Sequence, residues 1–94
     1  MRTRSRFVDV FSAPSPARRP RVGVVVPRFG NSAAARNVVR RRLRELARRE
    51  WLPAALDARI EMDVILRAKP SAYGVSYRLL RKSLEEPLSR VCVR

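Results

Sequence analysis

The chain has 94 residues, 46 % of them apolar, and a net charge of +14. That length suits one domain spanning 1–94, and the apolar share is too large for a disordered basic tail. With no histidine and a single cysteine, Cys92, a histidine base, a thiolate–imidazole pair and a Cys/His zinc site are excluded.

Self-repulsion at this charge opposes the compact state and points to a polyanionic partner: RNA, DNA or an anionic membrane. The only lysines are Lys69 and Lys82; the other cations are arginine, whose planar fork fits phosphate and stacks on bases. A lone cysteine fits a reducing compartment. No apolar run approaches the ~20 residues of a membrane span, and no signal-peptide core follows the basic start. The expectation is a cytoplasmic nucleic-acid binder with no membrane contact.

In chain order, Phe7 and Phe11 lie four apart with Val10 beside them, which predicts a short helix over Thr3–Ser12. The proline-rich stretch Ala13–Pro20 reads as an irregular connection. Arg21–Pro27 reads as a strand buried on both faces, because Val22, Val24, Val25 and Val26 are nearly continuous. Gly30, Asn31 and Ser32 break the chain, and Asn31 or Ser32 caps the next helix.

That helix is expected over Ala33–Glu50. Ala35, Val39, Leu43 and Leu46 form its apolar stripe. Asn37, Arg40, Arg41, Arg44 and Arg48 fall on the opposite side, while Arg36, Arg42 and Arg49 flank the stripe. Trp51, Leu52 and Pro53 should end it. A second strand over Ile60–Arg67 points Ile60, Met62, Val64 and Leu66 one way, and Glu61, Asp63, Ile65 and Arg67 the other. A last helix starts near Ser76 with Tyr77, Leu80, Leu84 and Leu88 as its stripe, and Pro87 should end or kink it. The order suggests an α+β or α/β sandwich around a small sheet.

The segment Arg36–Glu45 carries the functional signal. Solvated helix faces ordinarily mix both signs; this one holds arginine at every turn and a single acid, Glu45. Phe7 and Phe11 suit either a core or an apolar wall on which single-stranded bases stack, with Arg4, Arg6, Arg21 and Arg28 as its cationic edge. The acids are few and scattered, and none pair for acid–base or two-metal chemistry.

In this order the residues resemble the protein subunit of bacterial ribonuclease P. That family carries Arg-Asn and a basic run on a long helix, as in Arg36–Glu45, preceded by a strand with Arg-Val-Gly, as in Arg21-Val22-Gly23. An Asp-Val-Ile strand follows, then Ala, a basic residue and Pro, as in Asp63-Val64-Ile65 and Ala68-Lys69-Pro70. Phe7, Val10 and Phe11 look like its first-helix pattern.

The resemblance implies an α+β fold, a small central sheet packed against helices with a βαβ crossover that is left-handed in this family. It implies a chain that assists a catalytic RNA in removing the 5′ leader of precursor tRNA, using Mg²⁺ bound mainly by the RNA. Arg36, Asn37, Arg40, Arg41, Arg44 and Arg48 would then face the catalytic RNA. A cleft between the first helix and the sheet would hold the leader, with Phe7, Phe11, Arg21, Arg28 and Arg67 around it. No obligate protein partner and no DNA partner are implied.

Three departures stand out. Only Ser12–Pro20 fills the space of a further strand, so the sheet is expected to be reduced by a missing strand, and a two-stranded sheet is marginal. Val38 follows Asn37 where the family is often basic. Asn31 sits where the family often has glycine, unless Gly30 takes that role. Competing readings are a structural ribosomal-type RNA binder, a DNA-binding module, which needs base-reading side chains that this ridge lacks, and a protein-only nuclease, which lacks its acids and histidines.

Overall fold

Short runs of β-branched residues build the centre of the molecule. The computed structural model describes residues 1–91; Cys92 lies outside the described residues. The strands are β1 (Arg2–Thr3), β2 (Val8–Pro14), β3 (Arg21–Val25) and β4 (Met62–Ala68). They form one mixed sheet in the order β1-β2-β4-β3. β2 is antiparallel to β1 and β4, whereas β3 is parallel to β4.

The helix expected over Thr3–Ser12 does not form. Residues four apart share a strand face as well as a helix face, because four is an even number of residues. Long-range pairing with β4 decides between the two. Val8 faces Ala68, Val10 faces Leu66 and Ser12 faces Val64 across β2 and β4, and Val8 and Val10 are fully buried. The expected loss of a strand is therefore also corrected: β2 is present, β1 extends the sheet beyond it, and the irregular connection begins only after Pro14.

From β3 the chain crosses over through α1 (Ala33–Leu46), a π-helical turn (Ala47–Trp51) and α2 (Leu52–Asp57), then returns as β4. Ser32 caps α1, its Oγ accepting the Ala35 N–H at 3.1 Å. Gly30 takes the left-handed conformation at φ +81°, which settles the turn in its favour over Asn31.

The helical path continues past Trp51–Pro53, contrary to expectation. In an unbroken α-helix Ala55 would lie about 160° around the axis from Val39. The wider π turn delays the register, so Trp51 and Ala55 both reach the core. Pro53 sits in the first turn of α2, a position where its fixed φ is compatible with the helix. The last helix, α3 (Tyr77–Val91), also runs through Pro87 rather than ending there. Burial of Pro87, Leu88 and Val91 offsets the lost backbone bond.

One sheet face packs under the helices. Val8, Val10, Val64, Leu66 and Ala68 join Val39, Leu43, Leu46 and Trp51 of the crossover and Leu80, Leu84 and Leu88 of α3 in one core. Val22 and Val24 pack against it and are only partly buried, so β3 is not enclosed on both faces. The alternate residues of each strand point the other way, where Ile65 is 39 % and Val25 44 % exposed. Among the described residues no helix is long and apolar enough to cross a membrane.

Candidate nucleic-acid interface

The apolar stripe of α1 fixes the direction of everything opposite it. With Val39, Leu43 and Leu46 buried, Asn37, Arg40, Arg41, Arg44, Glu45 and Arg48 line one shallow outward groove. Glu45 accepts from Arg48 at 2.8 Å and from Arg49 at 2.9 Å, so its charge is shared at the carboxyl-terminal end of the helix. Among the described residues no ion pair or hydrogen bond engages the guanidinium groups of Arg40, Arg41 and Arg44. These three are free to bind an anion without first breaking an internal bond.

Two other arginines of α1 hold the helix in place. Arg36 Nε donates to the Val26 carbonyl at 2.8 Å, and Arg42 Nη1 donates to the Val75 carbonyl at 2.5 Å. Arg36 is half-buried; its fork is turned toward the loop before α1 rather than spread along the ridge. The basic run thus divides by helical phase into anchors and a free surface.

The open sheet face is the second surface. Phe11 of β2 lies opposite Ile65 of β4, and Ile65 lies opposite Gly23 of β3. A Cβ at Gly23 would come within 2.8 Å of Ile65 Cδ1, so glycine here gives the isoleucine its room. Arg2 reaches over the Phe11 ring, 5.4 Å from its centroid. Arg67 is exposed on the same face. Arg21 is there too, but its fork is held by Asp63 through bonds of 2.7 and 2.6 Å.

Two expected residues are placed differently. Phe7 is 7 % exposed and belongs to the core, with Arg6 stacked 5.0 Å from its ring centroid; it does not form an accessible wall. Arg28 is exposed in the loop beyond β3. The cleft expected between a first helix and the sheet is replaced by the sheet face alone. Sequence reasoning missed Val25 and Ile65 as exposed apolar surface, although Ile65 stands in phase with Asp63 and Arg67. A groove lined by Arg21, Gly23, Arg44 and Arg48 follows the edge of β3 and links the helix ridge to the sheet face.

The acids of this face are bound to cations. Burial pushes the Asp9 carboxyl up, but the hydrogen bond from Arg2 and the Lys69 ammonium outweigh it and leave it below the usual carboxylate range. The Arg21 hydrogen bond holds Asp63 low as well. Both stay ionised at neutral pH and neither can deliver a proton there. Among the described residues no three potential metal ligands come together.

What the surface can do is grip an anionic strand: free arginines on a helix, linked to an apolar sheet face with cationic borders. A family model described as Ribonuclease P matches residues 1–92. The chain belongs to the ribonuclease P protein family.

Its relatives agree. The ribonuclease P protein component of Thermus aquaticus is 40 % identical over 88 residues, which cover 85 % of this chain and 49 % of that protein. That of Thermus brockianus is 37 % identical over 87 residues, covering 93 % and 48 %. The chain therefore spans about half the length of the curated relatives it matches. The RNase P protein of Thermotoga maritima superposes with a TM-score of 0.79 at 22 % identity, covering 96 % of this chain and 82 % of that one. The Staphylococcus aureus RNase P protein superposes with a TM-score of 0.73 at 20 % identity, covering 97 % and 79 %. At such identities the two structures show a shared ribonuclease P protein fold.

Proposed function

We propose that this chain is the protein component of a ribonuclease P holoenzyme and acts in the cytoplasm as one RNA-binding domain. It binds the catalytic RNA through Asn37, Arg40, Arg41, Arg44 and Arg48, with Arg36 setting the pitch of that helix. It binds the 5′ leader of precursor tRNA across Phe11, Ile65 and Arg67, with Arg21 and Arg28 at the border. The endonucleolytic cut that gives the mature 5′ end is made by the RNA with Mg²⁺ held on RNA phosphates.

The observation that carries this reading is the free state of Arg40, Arg41 and Arg44 beside an open apolar sheet face. Two polyanions repel, and neutralised phosphates let the catalytic RNA and precursor tRNA approach. Exposed apolar side chains accept unstacked bases of a single strand, while free guanidinium groups take phosphates. No DNA, membrane or obligate protein partner enters this scheme.

Binding to the catalytic RNA across a salt series tests it. The pair Arg40→Ala with Arg44→Ala is expected to weaken binding and to reduce the slope of log K against log salt by about 1.5–2, at about 0.9 for each phosphate no longer neutralised. An unchanged slope removes the ridge from the interface.

A further inference from the structure

We infer that Phe29 is a stacking platform for one unpaired RNA base, an inference that rests on the RNA-binding reading above. Phe29 is 45 % exposed and has φ +49°. A bulky side chain in the left-handed region is an outlier that costs stability, and Gly30 beside it already serves the turn at φ +81°. Burial does not offset that cost, because nearly half of the residue faces solvent.

The surrounding loop is held firmly. The Val26 carbonyl accepts from Arg36 Nε at 2.8 Å, and the Pro27 carbonyl accepts from Tyr73 Oη at 2.6 Å. The Arg28 carbonyl accepts from both the backbone N–H and the Nδ2 of Asn31, at 2.8 and 2.9 Å. Three successive carbonyls are thus fixed, and the ring is presented on a rigid loop with little ordering left to lose on binding. An aromatic face stacks on any base, independent of sequence.

The loop joins β3, whose Val25 lies on the open sheet face, to α1, whose ridge starts at Asn37, about 6 Å along the axis from Ala33. Phe29 is exposed in the loop that connects the two surfaces, and the exposed Arg28 beside it is placed for the phosphate.

The test uses Phe29→Gly, Phe29→Leu and Phe29→Trp in the holoenzyme. Phe29→Gly should raise the melting temperature by relieving the backbone, yet weaken RNA binding roughly 5- to 150-fold, the range of one base–aromatic stack. Phe29→Leu should also weaken binding, Phe29→Trp should restore it, and the salt slope should stay unchanged because no charge is removed. In Phe29→Trp the new indole emission should be quenched by RNA, against the constant signal of buried Trp51. A loss seen with catalytic RNA alone assigns the base to that RNA; a loss seen only with leader-bearing precursor tRNA assigns it to the leader. Wild-type affinity in Phe29→Gly, alongside weakened binding in the Arg40→Ala and Arg44→Ala pair, overturns this inference alone. Wild-type affinity in both overturns the RNA-binding reading as well.

Discussion

Gly23 and Ile65 face each other across the parallel strands β3 and β4, and a Cβ on Gly23 would lie 2.8 Å from Ile65 Cδ1. The clash is with the tip of a flexible side chain, so Gly23→Ala should leave the fold intact, with stability within about 1 kcal/mol of the parent. Relief of the glycine entropy cost acts in the opposite direction. Ile65 must swing outward, however, and the face it helps to form changes shape. Denaturant melts and leader-dependent affinity for precursor tRNA check this together: stability nearly constant, affinity reduced.

Phe7 and Phe11 should separate cleanly. Phe7 belongs to the core, and Phe7→Ala should cost about 3–5 kcal/mol in chemical denaturation. Phe11 is half-buried on the open face under Arg2, and Phe11→Ala should cost less stability and weaken leader binding more.

Arg36 and Arg42 donate to loop carbonyls, so their truncation should be felt in stability. Each replacement by alanine should cost about 1.5–3 kcal/mol, the worth of a hydrogen bond from a charged donor. Thermal melts of Arg36→Ala and Arg41→Ala provide the contrast: the first destabilises, whereas the second leaves the melt unchanged and lowers RNA affinity.

The ion pairs of Asp9 and Asp63 set an acid limb. Both carboxyls titrate below their ordinary values in the folded chain, so their stabilisation is complete above the unfolded carboxylate pKa of about 3.9. It is lost as pH falls through the lower folded values. Melts between neutral pH and strong acid should show a decline confined to the acid end, and Asp9→Asn with Asp63→Asn should flatten it.

Much of the fold can be read from local pattern where burial and periodicity agree. The alternation of Met62, Val64 and Leu66 against Asp63, Ile65 and Arg67 places β4 and both its faces, and Val39, Leu43 and Leu46 place α1. Ser32 is recognisable as its cap. The amino-terminal stretch is ambiguous because Phe7 and Phe11 share a face in either secondary structure, and only pairing with β4, far later in the sequence, selects the strand. The π turn hides from periodicity because it shifts the apolar stripe by part of a turn, which makes Trp51 look like an ending. In the ridge, residue type points to phosphate, but only the structure separates Arg36 and Arg42, tied to carbonyls, from Arg40, Arg41 and Arg44, which are free.

The most direct test of the account is cleavage of a precursor tRNA by a bacterial catalytic RNA at low Mg²⁺, with and without this chain, beside a protein-only control. Cleavage at the mature 5′ end should require both components, with none from the protein alone. Cleavage by the protein alone, or no stimulation of the RNA by a protein that binds it tightly, would contradict the account.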